Sequence, residues 1–299
     1  TNLLNFPGKS FIIPEPYGTS LIIGPWNYPF QLSLLPAVSA LAAGNTVILK
    51  PSEITNESSG IMAKVMNRIF IPEIFHVIEG GVQETQELLS LEFDKIFFTG
   101  SAQVGKIVYE AAAKHLTPVT LELGGKSPTF VFKGTNIKMS AKRIVWGKFL
   151  NGGQTCVAPD YVLVEKSIEE EFINEIRNQV ELQFPDMQNL PENFTKIINE
   201  KNFDRIVEMI DQEKVLIGGK YDKEERIIHP TVLTNVSFED KVMEEEIFGP
   251  VLPVIAFDNL DDTVEKVKSL PKPLALYVFS KSKADVQKIH NEISFGGGC

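Results

Sequence analysis

TSLIIGPWNYPFQLSLLPAVSALAAGNTVILKPSE, residues 19–53, decides the architecture. It opens with Thr19–Ile23, a short β-branched run, and reaches another apolar run at Thr46–Leu49. Between them Phe30, Leu34, Leu35, Val38 and Leu41 fall at helical spacing, and Gly44 supplies a stop. The rhythm continues with a helical stretch around Ile61–Ile69, buried strands at Phe75–Ile78 and Lys95–Phe98, and a helix from about Ala102 to Lys114. Such alternation predicts a parallel sheet covered by helices on both faces.

By pattern, a second α/β block begins near Pro118. Its strand-like pieces are Val119–Leu121, Thr129–Phe132, Tyr161–Val164, Val251–Phe257 and Leu274–Phe279. Helical pieces lie near Met139–Leu150, Ile168–Leu182, Phe203–Ile210 and Asp261–Lys268, and Gln183–Asn193, with two prolines, reads as a loop. A chain of 299 residues has room for one large or two medium domains. The terminal Gly296-Gly297-Gly298-Cys299 reads as a connector, and with Thr1 in place of Met it suggests that the natural chain extends further.

Bulk chemistry excludes several classes of function. With 29 Lys+Arg against 39 Asp+Glu, the formal charge of -10 argues against nucleic-acid binding as the main role. Two cysteines, Cys156 and Cys299, build no disulfide framework and point to a reduced, cytoplasmic setting. The four histidines are scattered without zinc-ligand spacing, so no metal is expected. No apolar run is long enough to span a bilayer.

Ligands of open α/β sheets collect at the carboxyl ends of parallel strands, and four unusual stretches follow such ends. In FTGSAQVG (98–105), Gly100 and Gly105 flank a turn into a helix whose free N–H groups suit a pyrophosphate, with Ser101 as cap or donor; an ordinary strand-to-helix turn has the same look. In LKPSE (49–53), Lys50 and Glu53 suit ribose hydroxyls or form a solvated pair. In PWNYPF (25–30), Asn27 is either a turn residue or an amide donor to an oxyanion. In LELGGK (121–126), Glu122 interrupts apolar residues and is either a general base with a raised pKa or a strand-edge carboxylate facing water.

Cys156 ends NGGQTC (151–156), where Gly152 and Gly153 permit close backbone approach. A buried inert cysteine is the commonest fate of the residue; a nucleophile needs a nearby base, and Glu122 is the better candidate because no histidine is close in sequence.

Taken together and in order, PWNYPF, LKPSE, FTGSAQVG, LELGGK, NGGQTC and EEEIFGPV resemble the NAD(P)-dependent aldehyde dehydrogenases. KPLALYVFSK (272–281) and the final FGGGC resemble the class 3 branch, which acts on fatty and aromatic aldehydes. The resemblance implies two doubly wound α/β domains: a Rossmann-like cofactor domain over 1–121, with a bridging strand near 9–18, and a catalytic thiol domain over 122–299. It implies Cys156 as nucleophile, Asn27 and the Cys156 backbone N–H as oxyanion hole, and Glu122 as the base that activates water. Lys50, Glu53, Gly100, Ser101, Gly105, Leu123, Glu246 and Phe248 are implied as contacts of NAD or NADP. Family chains run beyond both ends of this one, so the chain reads as truncated, and the full-length form is expected to pair as a homodimer on an apolar aldehyde. The competing readings are an inactive binding protein descended from such an enzyme and a weak cysteine esterase.

Overall fold

The structure, a computed structural model, describes residues 3–187, 190 and 194–299. It divides into two compact units, Thr1–Leu123 and Gly124–Cys299. In the first unit β1 (Thr19–Ile23), α1 (Pro29–Ala42), β2 (Thr46–Lys50), α2 (Asn56–Ile69) and β3 (Phe75–Val77) build one half. The chain then returns through α3 (Val82–Ser90), β4 (Lys95–Thr99), α4 (Ala102–Ala113) and β5 (Val119–Glu122). The sheet order is β3-β2-β1-β4-β5, parallel throughout. Side chains alternate across a strand, so each face takes every second residue. Leu21 and Ile23 join Ile96 and Phe98 against Leu88 and Leu89 of α3 and Val108 of α4. Ile22 joins Val47 and Leu49 against Ala37 of α1 and Ala63 of α2. Because β1 is covered on both faces it needs an unbroken apolar run, and each such side chain contributes about 1.5–3 kcal/mol by leaving water.

The second unit repeats this logic. Its elements are β6 (Pro128–Val131), α5 (Ile137–Phe149), β7 (Tyr161–Glu165), α6 (Glu169–Gln183), α7 (Glu200–Val207) and β8 (Val215–Ile217). They continue with β9 (Tyr221–Asp222), β10 (Ile227–Ile228), β11 (Thr231–Leu233), β12 (Val251–Phe257), α8 (Leu260–Ser269), β13 (Ala275–Phe279), α9 (Lys283–Glu292) and β14 (Gly297–Gly298). The main sheet runs β14-β13-β6-β7-β12-β11-β8, with only β8 antiparallel to its neighbour among the described strands. Val131, Val162, Val164 and Val254 face Ile144 of α5 and Phe172 and Ile176 of α6. Phe130, Tyr161, Leu163 and Ile255 face Phe203 of α7, Val264 of α8 and Ile289 of α9. Both units are therefore doubly wound, as the sequence pattern predicts.

Several expectations change. The bridging strand near 9–18 is absent: this stretch is exposed and forms no ladder, and Pro14 and Pro16 have no N–H to offer one. Val119–Leu121, which the pattern puts in the second block, pairs with β4 in the first sheet, so the division falls after Leu123 and leaves Glu122 in the first unit. The apolar spacing in α1 marks its buried face only in part. Leu34 and Leu41 pack against the core, but Ser33 and Ala37 are the buried residues and Phe30, Leu35 and Val38 are exposed, because small residues let the helix lie close to the chain leaving β1. A Cβ at Gly24 would come within 2.1 Å of Ser33 Oγ. α3 escapes the sequence pattern because VQETQELLS is mostly polar; it is marked instead by Glu84, whose carboxylate accepts from Gly81 N–H at 2.6 Å. Of the loop expected over Gln183–Asn193, Gln183 ends α6 and Phe184–Met187 and Leu190 lie outside helices and strands, while the other positions lie outside the described residues.

β3 is an edge strand, and one side chain closes part of its free edge. Asn67 of α2 donates from Nδ2 to Val77 O at 2.9 Å, and its Oδ1 accepts from Val77 N–H at 2.8 Å. Asn67→Ala removes both bonds and is expected to cost about 1–3 kcal/mol in denaturant unfolding. Amide exchange at Val77 should rise selectively; unchanged exchange there would show that the pair contributes nothing to the edge.

Candidate functional site

In the first sheet β1 is flanked by β2 on one side and β4 on the other, so the strand order reverses between β1 and β4. This is the switch point where open parallel sheets leave a crevice at their carboxyl edge. Asn27, half-buried between the half-buried Trp26 and Tyr28, follows β1 and precedes the proline that starts α1. Gly100 and Ser101 follow β4. The Ser101 hydroxyl accepts from Val104 N–H at 3.4 Å and caps α4, and Gly100 N–H donates to Glu122 O at 3.0 Å. A Cβ at Gly100 would lie 2.6 Å from the Phe98 ring, and one at Gly105 would press Leu123 at 3.1 Å, so both glycines answer to close packing.

Lys50 is not the solvated residue its loop position allows. It is 2% exposed and donates to Pro51 O at 2.9 Å, Gly80 O at 2.7 Å and Glu53 Oε2 at 3.1 Å. Glu53 is 46% exposed, so the ammonium is fixed and the carboxylate is the open half of the pair. Glu122 ends β5 with an exposed side chain, which leaves its carboxylate open to water. The first unit thus gathers Asn27, Lys50, Glu53, Gly100, Ser101 and Glu122 on the carboxyl edge of its sheet, with Gly105 one turn into α4 and Leu123 just past β5.

The second unit uses the opposite edge. The segments that carry Lys126, Cys156, Glu246 and Pro273 each enter a strand, β6, β7, β12 and β13 respectively, and these strands are mutually parallel. Asn151, Gly152 and Gly153 take three successive left-handed conformations, with φ of 54, 60 and 74°. A Cβ at Gly153 would fall 2.2 Å from Gly249 O, so only glycine fits there. Gln154 is buried, and its Nε2 donates to Asn151 O at 3.2 Å and Lys196 O at 3.1 Å while its Oε1 accepts from Ile198 N–H at 3.0 Å. The residues before Cys156 are thus pinned, and the thiol itself is partly exposed. Beyond it, the Tyr277 hydroxyl donates to Val157 O at 2.5 Å, and burial pushes that hydroxyl's pKa up.

Four residues later, Asp160 collects partners. Its Oδ2 accepts from Lys126 Nζ at 2.5 Å and its Oδ1 from Ile247 N–H at 3.0 Å, with Lys148 Nζ 4.0 Å from Oδ1. Lys126 donates further to Val242 O and Glu245 O, both at 2.9 Å. Arg205 of α7 donates to Glu246 O at 3.0 Å and Ile247 O at 2.8 Å. This anchoring explains how Phe248 is held at φ 49°, a strained conformation for a bulky residue. Glu246 packs its carboxylate on Gly124, where a Cβ would come within 2.4 Å of it. Burial lifts the Glu246 carboxyl to about 7, the charge of Asp160 adds to the rise, and Gly125 N–H and the two ammoniums oppose it. Burial brings Lys148 down to about 8.

Lys126, Lys148, Asp160, Arg205, Gln154 and Tyr277 do not stand out in the sequence. The one signal is position: Lys148 and Asp160 bracket the thiol turn and adjoin apolar runs, where a solvated charge is out of place. Among the described residues no three His, Cys, Asp or Glu side chains gather where a metal ion could sit, and no helix is long and apolar enough to cross a membrane.

Comparison with known proteins places this geometry. The aldehyde dehydrogenase family model matches residues 5–298. Aldehyde dehydrogenase family 3 member A2 of Macaca fascicularis is 46% identical over 99% of this chain and 61% of its own length. The dimeric NADP-preferring aldehyde dehydrogenase of Mus musculus is 46% identical over 96% of this chain and 63% of its own. A solved structure of the Staphylococcus aureus enzyme AldH in a substrate-bound state superposes with a TM-score of 0.95 at 46% identity, over 100% of this chain and 66% of that one. The chain therefore spans somewhat under two thirds of the relatives it matches, and over that span it belongs to the aldehyde dehydrogenase family and resembles its class 3 branch.

Proposed function

We propose that the chain carries the thiol and cofactor chemistry that oxidises an aldehyde to a carboxylic acid with NAD or NADP. The observation that carries the reading is the half-exposed Cys156 on a turn fixed at each preceding residue, in a chain of this family. In this reading the Cys156 thiolate adds to the aldehyde carbon, and the Asn27 amide and the Cys156 backbone N–H donate to the oxygen that becomes negative. When bound, the oxidised nicotinamide supplies the acceptor for the hydride that the tetrahedral adduct sheds. A thioester on Cys156 remains. Glu122 takes a proton from water, which attacks the thioester carbon, expels the thiolate and releases the acid. The exposure of Glu122 suits a group that must meet water.

The first unit fits a dinucleotide. A capped helix N-terminus stands at the switch point, beside glycines that leave no room for a side chain. Ser101 and the α4 N–H groups would take the pyrophosphate, Lys50 and Glu53 the adenosine ribose, Leu123 the nicotinamide end, and Glu246 and Phe248 the nicotinamide ribose and ring. The half-buried Trp26 and Tyr28 beside Asn27 favour an apolar aldehyde. A homodimer draws its support from the mouse relative, whose name calls it dimeric. A chain whose two cysteines form no disulfide fits a reduced compartment such as the cytoplasm.

The direct test is absorbance of the reduced nicotinamide after mixing with NAD or NADP and a medium-chain aldehyde. Cys156→Ala should lower the signal to background while leaving cofactor binding nearly intact; turnover in that variant would overturn the nucleophile assignment. Glu122→Gln should slow the steady state by about 100-fold yet spare the first turnover, giving a burst of reduced cofactor. An undiminished steady state would remove Glu122 from the mechanism. Glu53→Ala should raise the relative kcat/KM for NADP, since the lost carboxylate repels a ribose phosphate; an unchanged NAD/NADP ratio would assign that choice elsewhere.

A further inference from the structure

We propose that Asp160 is a positioning residue that locks the thiol turn and the Glu246–Phe248 loop into one mechanical unit. The proposal rests on the reading of Cys156 as nucleophile and of Glu246 and Phe248 as cofactor contacts. Lys148 and Asp160 lie on either side of the turn, and their 4.0 Å approach closes its base. The same Oδ1 that faces Lys148 accepts from Ile247 N–H, between Glu246 and Phe248. Lys126 ties the other oxygen of Asp160 to the carbonyls of Val242 and Glu245. Gly153 closes a second contact by lying against Gly249. Any shift of one segment therefore strains bonds to the other, and the angle at which thiol and cofactor residues are presented is held by one carboxylate.

Two measurements on the full chain test this. Hydrogen exchange compares Asp160→Asn with the wild type at segments 150–156 and 242–248, with α2 as reference. Exchange in both segments should rise together by about tenfold while α2 stays unchanged. A rise in one segment alone, or in neither, overturns the lock. The second measurement is kcat for aldehyde oxidation in the same variant, which should fall by about 100-fold as the thiol and the cofactor residues lose their mutual angle. An unchanged kcat overturns the positioning role. If the wild type oxidises no aldehyde, the functional reading fails and hydrogen exchange alone decides the lock.

Discussion

Burying a charged lysine costs several kcal/mol unless a counter-charge and hydrogen bonds offset it, and the second unit buries two of them beside Asp160. Lys126 and Asp160 are 5% and 4% exposed, and Lys148 is fully enclosed. The arrangement is tolerable because each oxygen of the carboxylate accepts a hydrogen bond and Lys126 spends its remaining donors on loop carbonyls. From this follow the placement of the thiol turn at the head of β7, the course of the chain into β12, and the ability of Phe248 to remain at a backbone angle that few aromatic residues adopt. Apolar burial sets the doubly wound shape of the unit; the charged cluster sets how the loops on its amino edge are ordered.

The two units place their candidate residues by different means. In the first, the reversal of strand order at β1 and β4 leaves a crevice at the carboxyl edge, and glycine, serine and the helix start follow from topology. In the second, the loops entering the parallel strands are irregular, and only specific hydrogen bonds fix them. A crevice can thus be built from a repeated fold, whereas fixing a partly exposed thiol takes a particular set of side chains.

This difference explains what the sequence made legible. The strands that appear as unbroken apolar runs, such as LII at 21–23 and VLV at 162–164, are those covered on both faces, and each lies where the pattern puts it. α1 misleads because Phe30, Leu35 and Val38 face outward while Ser33 and Ala37 take the closest packing, with Leu34 and Leu41 beside them. α3, β8 and β11 escape notice because one is polar and two are only three residues long. At the site, Gly152, Gly153 and Cys156 stand out locally, since their chemistry is unusual in any setting. Asp160 and Lys126 do not, because a lone charge before a strand looks solvated until the partners, as distant as Val242 and Ile247, are brought to it.

The left-handed turn at Asn151–Gly153 bears on the chemical ageing of the chain. An Asn-Gly pair is the sequence most open to attack of the following backbone nitrogen on the side-chain amide, which yields a succinimide and then aspartate or isoaspartate. That reaction needs a free side chain and a mobile backbone. Here the Asn151 side-chain amide donates to Gln154 O at 3.4 Å, and the Asn151 backbone carbonyl accepts from Gln154 Nε2 and Gln154 N–H. The bonds that aim the thiol also keep the adjoining amide from cyclising, so the lesion is confined to molecules in which the turn has opened. An isoaspartate formed there would add a backbone carbon five residues before Cys156, and the damaged turn could not close in its former shape.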